Sequence, residues 1–274
     1  MEDVTYLIID GGYLSKAYEM NIWPIFGDDN RLNYSTIKSR AHARKAFYYD
    51  CLDNKQRHKE QPTDFQARVT RQKQLFKMIR DVPGMHVRLG YVAGAKRRRQ
   101  KEVDVMLAVD MLNHAFHRNM TNAILIAGDR DFKPVVDALV QIGTFVHLMY
   151  EPGHCSEPLI RAADSHEAIT IYKLCEWSLL DDRATFSEHF PERHMYNQDD
   201  TPMLSTAGNP TLVKHGELTE GQKPVELWVA PSGYHYMCIR QKPGRYARYH
   251  FQDRAKLERF FEKEHGKITW LSGP

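Results

Sequence analysis

Two aspartates stand two residues apart in the stretch Asn122-Ala-Ile-Leu-Ile-Ala-Gly-Asp129-Arg-Asp131-Phe-Lys-Pro-Val-Val. An apolar run ends at Gly128-Asp129, and Asp131 falls where a helix should begin. A second apolar run, Tyr6-Leu-Ile-Ile, ends in Asp10, and Asp104 opens a strongly amphipathic segment. Carboxylates gathered from strand tips and helix starts are the oxygen donors that Mg2+ or Mn2+ prefers. A pair of such ions about 4 Å apart neutralises a phosphate and activates a water for phosphodiester hydrolysis.

Each acid also has an ordinary use. Asp131 could cap a helix, and Asp104 could complement a helix dipole. Asp10 and Asp129 follow apolar runs with no evident local cap to make. Crowded together without a cation, these groups would repel and their pKa values would rise. Asp110 lies six residues after Asp104, roughly 120° further around a helix. Its role is then to orient the ligands from behind, or purely structural.

The elements that must position these groups alternate. Strands are expected over 4–10, 44–50, 85–92, 123–127, 145–150 and 168–172. Helices are expected over about 13–20, 33–42, 64–81, 104–118, 134–142 and 158–164. Continuously apolar strands alternating with helices imply a mainly parallel sheet covered on both faces. Sites in such sheets lie at the carboxyl ends of the strands, where Asp10 and Asp129 fall. Residues 181–224 are polar and rich in Pro, Gly, Asn and Thr, and read as a linker or long surface loop. Strands over 225–230, 234–240 and 246–251, with a helix over 254–265, then form a small C-terminal α+β module. The expected division is 1–180, 181–224 and 225–274.

Three segments in order carry a resemblance: Ile8-Ile-Asp10-Gly-Gly-Tyr13, Lys101-Glu-Val-Asp104-Val-Met-Leu-Ala-Val-Asp110, and Ile124-Leu-Ile-Ala-Gly-Asp129-Arg-Asp131-Phe-Lys-Pro. With Pro158-Leu-Ile-Arg-Ala-Ala-Asp164 they resemble the NYN domain family, which includes the LabA-like proteins and belongs to the PIN-like nuclease superfamily. The resemblance covers about residues 1–175. It implies a PIN-like three-layer α/β/α sandwich and metal-dependent RNA cleavage, with Asp10, Asp104, Asp129 and Asp131 as catalytic metal ligands for Mg2+ or Mn2+. Two positions depart from the family. Tyr13 stands where an asparagine is usual, which leaves an orienting role to a phenol. Arg130 stands where small residues are commoner, and could reach a phosphate.

Lys96, Arg97, Arg98, Arg99 and Lys101 precede Asp104 directly. Beside a metal cluster, such a basic run would hold a nucleic-acid backbone; Lys101 resembles the family's motif lysine. Arg68, Arg71, Lys73, Lys77 and Arg80 read as a solvated helix face. Trp228, Tyr234, Tyr236, Tyr246 and Tyr249 alternate with Arg240, Lys242, Arg245, Arg248 and Arg254 in the C-terminal module. That mixture suits substrate binding by stacking, a protein partner, or a homo-oligomer contact. His114 and His117 share a helix face without a third ligand and read as surface or packing groups.

The totals exclude several classes. A net charge of +3 on 274 residues does not by itself call for nucleic acid. Cys51, Cys155, Cys175 and Cys238 are scattered without a CxxC pair, which fits a reducing cytoplasm. No apolar run approaches the roughly 20 residues that span a bilayer, so no membrane association is expected. No Lys-Ser/Thr follows Gly11-Gly12, so nucleotide hydrolysis of the P-loop kind has no support in the sequence. The expectation is a cytoplasmic metal-dependent nuclease acting on RNA, with DNA as the other polymer the same chemistry would cut. The competing expectation is a catalytically inactive nucleic-acid-binding or adaptor protein on the same fold.

Overall fold

The computed structural model describes residues 3–93, 99–180, 185–197, 209–242 and 245–271. Lys96, Arg97 and Arg98 lie outside the described residues, as do the side chains of Arg99 and Lys101. The chain divides into two compact units, Met1–Tyr18 with Asn33–Thr170, and Glu19–Leu32 with Ile171–Pro274.

The first unit runs β1 (Thr5–Asp10), α1 (Gly11–Phe26, as far as Tyr18), α2 (Tyr34–Arg40), β2 (Lys45–Leu52), α3 (Pro62–Asp81), β3 (Met85–Ala93), β4 (Arg99–Lys101), α4 (Val103–Phe116) and β5 (Asn122–Ile126). A single 3-10 turn (Arg130–Phe132) leads into α5 (Lys133–Gln141), then β6 (Phe145–Tyr150), α6 (Glu157–Ala162) and β7 (Ser165–Ala168). The strands form one seven-stranded sheet in the order β4-β3-β2-β1-β5-β6-β7. Only the short edge strand β4 is antiparallel to its neighbour.

Chain order reverses at β1, which pairs with β2 on one side and β5 on the other. Right-handed crossovers from such a point send the connecting helices to opposite faces. On one face, Tyr6, Ile8, Phe47, Tyr49 and Leu125 pack against Leu107 and Met111 of α4 and Val136 and Leu139 of α5. On the other, the Tyr48 ring meets Tyr34 of α2 edge-on at 5.4 Å and lies 6.2 Å from Phe76 of α3. With both faces covered, β1 and β2 carry almost unbroken apolar sequence. The basic helix α3 shows only Phe76 and Ile79 buried. Its Arg68 is engaged by Glu60 at 2.7 Å and Asp53 at 2.8 Å.

One expected strand moves. The sequence predicts a strand over 168–172, yet β7 ends at Ala168 and α7 spans Ile171–Glu176. The buried positions Ile171, Leu174 and Cys175 follow helical spacing that a five-residue window does not reveal.

The second unit holds α7, α8 (Phe186–His189), β8 (Glu192–Asn197), β9 (Thr211–Leu218), β10 (Pro224–Val229), β11 (His235–Lys242), β12 (Arg245–Phe251), α9 (Arg254–His265) and β13 (Ile268–Trp270). Its six strands form an antiparallel sheet ordered β13-β9-β10-β11-β12-β8. Phe260 and Phe261 of α9 pack on Tyr249 at 5.7 and 5.5 Å. Asp253 caps α9 by accepting the Lys256 N–H at 3.0 Å. The reading of 181–224 as a linker is corrected here, because β8 and β9 arise within it. β8 (Glu-Arg-His-Met-Tyr-Asn) is an edge strand with polar sequence. Charged residues are common on edges, and the pattern hides the strand.

Gly11 fixes how closely α1 starts against β2. A Cβ there would lie 2.2 Å from Cζ of Tyr48. Gly11→Ala is expected to cost about 1–3 kcal/mol through overpacking, read as a lowered urea midpoint. An unchanged midpoint would show that the Tyr48 ring yields freely.

Candidate active site

The carboxyl end of β1 is built by its own backbone. Asp10 closes the strand, and its Oδ1 accepts the N–H of Tyr13 at 3.0 Å. Asp10 therefore does make a local cap, at the start of α1, which the sequence did not betray. Beside it, Asp50 on β2 is buried; its Oδ1 accepts the Cys51 N–H at 2.7 Å, and its Oδ2 accepts the Tyr48 hydroxyl at 3.2 Å.

Asp129 stands three residues beyond β5, and its Oδ1 accepts the Asp131 N–H at 3.0 Å. This cap opens the 3-10 turn and brings both acids to one rim, exposed. Gly128 sits under the Tyr13 ring, where a Cβ would meet Cε2 at 2.4 Å and the His154 carbonyl at 2.3 Å. The Tyr13 hydroxyl accepts the Glu151 N–H at 2.7 Å. Tyr13 therefore ties the start of α1 to the loop after β6. In that loop Glu151, itself buried, pairs with His154 Nδ1 at 2.5 Å.

Asp104 lies in the first turn of α4, behind Glu102, whose φ is +73°. Electrostatics places it with the other acids. Burial holds the Asp10 carboxyl up at about 6, and the charges of Asp104, Asp50 and Asp129 add to the rise. Burial and then the charges of Asp129 and Asp131 push Asp104 upward too. Burial likewise lifts Asp50 to about 6.

Asp10, Asp104, Asp129 and Asp131 are thus neighbours in field, more widely set than direct co-ligands. Among the described residues, the grouping whose donors lie within 4.8 Å of one another is a different one, Glu192, His194 and His250 in the second unit.

Asp110 turns elsewhere, accepting the Tyr49 hydroxyl at 3.0 Å and pairing with Arg88 at 3.3 Å, so it ties α4 to β2 and β3. Arg130 is exposed between Asp129 and Asp131. Of the basic run, the backbones of Arg99 and Lys101 lie in β4, where Lys101 pairs with Tyr91. In the second unit Tyr249 belongs to the core. The Tyr196 and Tyr246 rings stack at 5.4 Å, and Arg248 covers Tyr236 at 5.5 Å. Much of that aromatic surface is therefore already engaged by neighbouring side chains.

Sequence reasoning missed Asp50 and Glu151. For Asp50 the signal was present: the run Ala46-Phe-Tyr-Tyr-Asp50 ends in aspartate as β1 does. The Glu151–His154 pair lies in a loop with no pattern to read.

The raised acids set a pH dependence. An unfolded chain releases the Asp10 proton near the ordinary value of 3.8, whereas the folded chain holds it to about 6. The folded state binds more protons in that window, so stability falls as pH rises through it. The full effect is no more than ~3 kcal/mol, at about 1.4 kcal/mol per pH unit. Asp10→Asn keeps a capping oxygen and removes the charge. In chelator the variant is expected to gain stability over the wild type at pH 8 and not at pH 3.5, by urea unfolding at both. An equal difference at the two values would overturn the raised pKa of Asp10.

The comparisons with known proteins bear on the first unit. A model of the NYN domain matches residues 5–171. None of the curated proteins compared matches the chain. Among solved structures, a protein of unknown function from Vibrio parahaemolyticus is 20% identical over 65% of this chain and 97% of its own, with a TM-score of 0.48. GenD2 from gentamicin A biosynthesis, in complex with NAD, is 9% identical over 90% of this chain and 72% of its own, with a TM-score of 0.28. Both likenesses are too distant to carry an argument about function. The domain match spans well over half of the chain and takes in all of the clustered aspartates, and the chain belongs to the NYN domain family, a family of PIN-like nuclease domains.

Proposed function

We propose that this protein is a metal-dependent ribonuclease whose site is the aspartate cluster at the carboxyl ends of β1 and β5. The observation that supports it most is the mutual charge crowding of Asp10, Asp104, Asp129 and Asp131 where the strand order reverses. Structural acids are normally neutralised by bases, but the charges acting most on Asp10 are all negative.

The donor set fits Mg2+ or Mn2+. All four groups are hard carboxylate oxygens, and their wide setting suits an ion that is bound through one or two carboxylates and keeps several waters. When bound, the ion would supply charge neutralisation at the phosphate and acidify a water.

The chain's own residues do the rest. Asp10, capped and half-buried, is fixed in direction by the Tyr13 N–H. Asp129 and Asp131 are fixed to each other through one backbone hydrogen bond. Arg130, exposed between them, would meet a phosphate of the strand. Lys96, Arg97, Arg98, Arg99 and Lys101 would hold the backbone on the approach to Asp104. Water adds to phosphorus in line with the departing 3′ oxygen, leaving a 5′-phosphate and a 3′-hydroxyl. RNA is the substrate we propose, in keeping with the NYN domain match over residues 5–171.

A second reading keeps the fold and drops the chemistry: a protein that binds nucleic acid or a partner without cutting. One observation favours it. Tyr13 has no side-chain amide to offer the carboxylates, and its hydroxyl accepts the Glu151 N–H.

Cleavage of labelled single-stranded RNA, tRNA and single-stranded DNA in Mg2+ or Mn2+ separates the two readings. Under the proposal, chelation abolishes cutting. Asp129→Asn, which preserves the cap, lowers it on the order of 100-fold or more. RNA bound tightly by wild type and variant with no cutting by either would leave the second reading standing.

A further inference from the structure

The second unit carries a donor cluster unrelated to the aspartates. Glu192 and His194 are two residues apart on β8, so they share a face of the sheet. The strand pairing sets His250 of β12 directly opposite Glu192. Glu192 Oε2 lies 3.5 Å from His250 Nε2, and Oε1 lies 3.8 Å from His194 Nε2. Both separations exceed a good hydrogen bond. The two imidazoles lie side by side, 5.3 Å apart and 15° from parallel. His250 Nδ1 is buried without a hydrogen-bond partner. Hydrogen bonding thus accounts for neither nitrogen of His250, although Tyr236 stacks against its ring at 5.6 Å.

We propose that Glu192, His194 and His250 form a binding site for a zinc-class divalent cation, bridging β8 to β12. All three donor atoms lie within 4.8 Å of one another. Ligands bonded to Zn2+ at about 2.0–2.1 Å stand roughly 3.4 Å apart in a tetrahedron. The cluster reaches that spacing by small side-chain rotations.

Two imidazoles and one carboxylate leave the fourth position open, as in zinc sites with three protein ligands. Imidazole selects Zn2+, Co2+ or Ni2+ over Mg2+, so this site and the aspartate cluster draw on different ions. The Glu192 and His194 side chains are 41% and 44% exposed, which gives a cation a direct path in. The cation would staple an edge strand whose described pairing is to β12 alone.

The test uses the full chain, stripped with chelator and desalted. Zn2+ is titrated calorimetrically in excess Mg2+, and Co2+ replaces it for visible absorption. The expected result is one equivalent of Zn2+, a four-coordinate Co2+ spectrum, and a higher melting temperature with Zn2+ than with Mg2+ alone. Asp129→Asn should leave this binding unchanged. His194→Ala and His250→Gln should weaken it at least about tenfold. Should His250→Gln fail to fold, His194→Ala decides, because His194 is exposed. The proposal is overturned if the wild type takes up no Zn2+ in excess Mg2+, or if uptake persists undiminished in the histidine variants that fold.

Discussion

Two missing Cβ atoms set the distances on which the site depends. At Gly11 the backbone passes within contact of the Tyr48 ring, and at Gly128 it passes under the ring of Tyr13. The first lets α1 start directly at the end of β1, and so lets Asp10 cap it. The second lets Asp129 follow β5 while the loop after β6 closes over the same tyrosine. With larger residues at either place the strand tips would separate, and the carboxylates with them.

The same geometry has an electrostatic cost that the fold does not relieve by itself. Asp10 and Asp50 are both held up at about 6, chiefly by burial. Elsewhere the first unit neutralises its acids in the ordinary way. Asp110 meets Arg88, and Asp53 and Glu60 meet Arg68. The contrast is local: pairing where acids hold elements together, crowding where strand order reverses. Perturbed ionisation gathered at a topological switch point is a mark of a functional site.

How much of this the sequence declared depended on where the information resides. α9 was legible to the residue, because Asp253 caps it and an amphipathic stripe of Leu257, Phe260 and Phe261 runs through it. β6 was equally plain, as an apolar run between turns. β8 was not, since a polar edge strand is held by its partner's backbone rather than by its own pattern; β9 lies inside the sheet between β13 and β10, and its run Lys214-His-Gly-Glu217 breaks the apolar alternation. The positions of Asp10 and Asp129 at strand ends could be read directly. Their capping bonds could not, because each depends on the turn that the chain takes next. Asp50 ends its apolar run with no glycine or helix start after it to mark a strand tip. Its partner Tyr48 is identified only once the sheet is assembled.

The bond between the Tyr13 hydroxyl and the Glu151 N–H spans 138 residues. Asp10, Asp104 and Asp129 come from the first, middle and late parts of the same unit, with Asp10 at the last paired position of β1 beside β2. Contacts so distant in sequence form late, after the loops between them have closed. During synthesis the tip of β1 must wait for β5 and the loop after β6 to leave the ribosome before the acids can meet. A chain stopped short of Glu151 would carry every clustered aspartate and lack the backbone N–H that the Tyr13 hydroxyl accepts, so the site's setting is complete only after the last of its acids has been made.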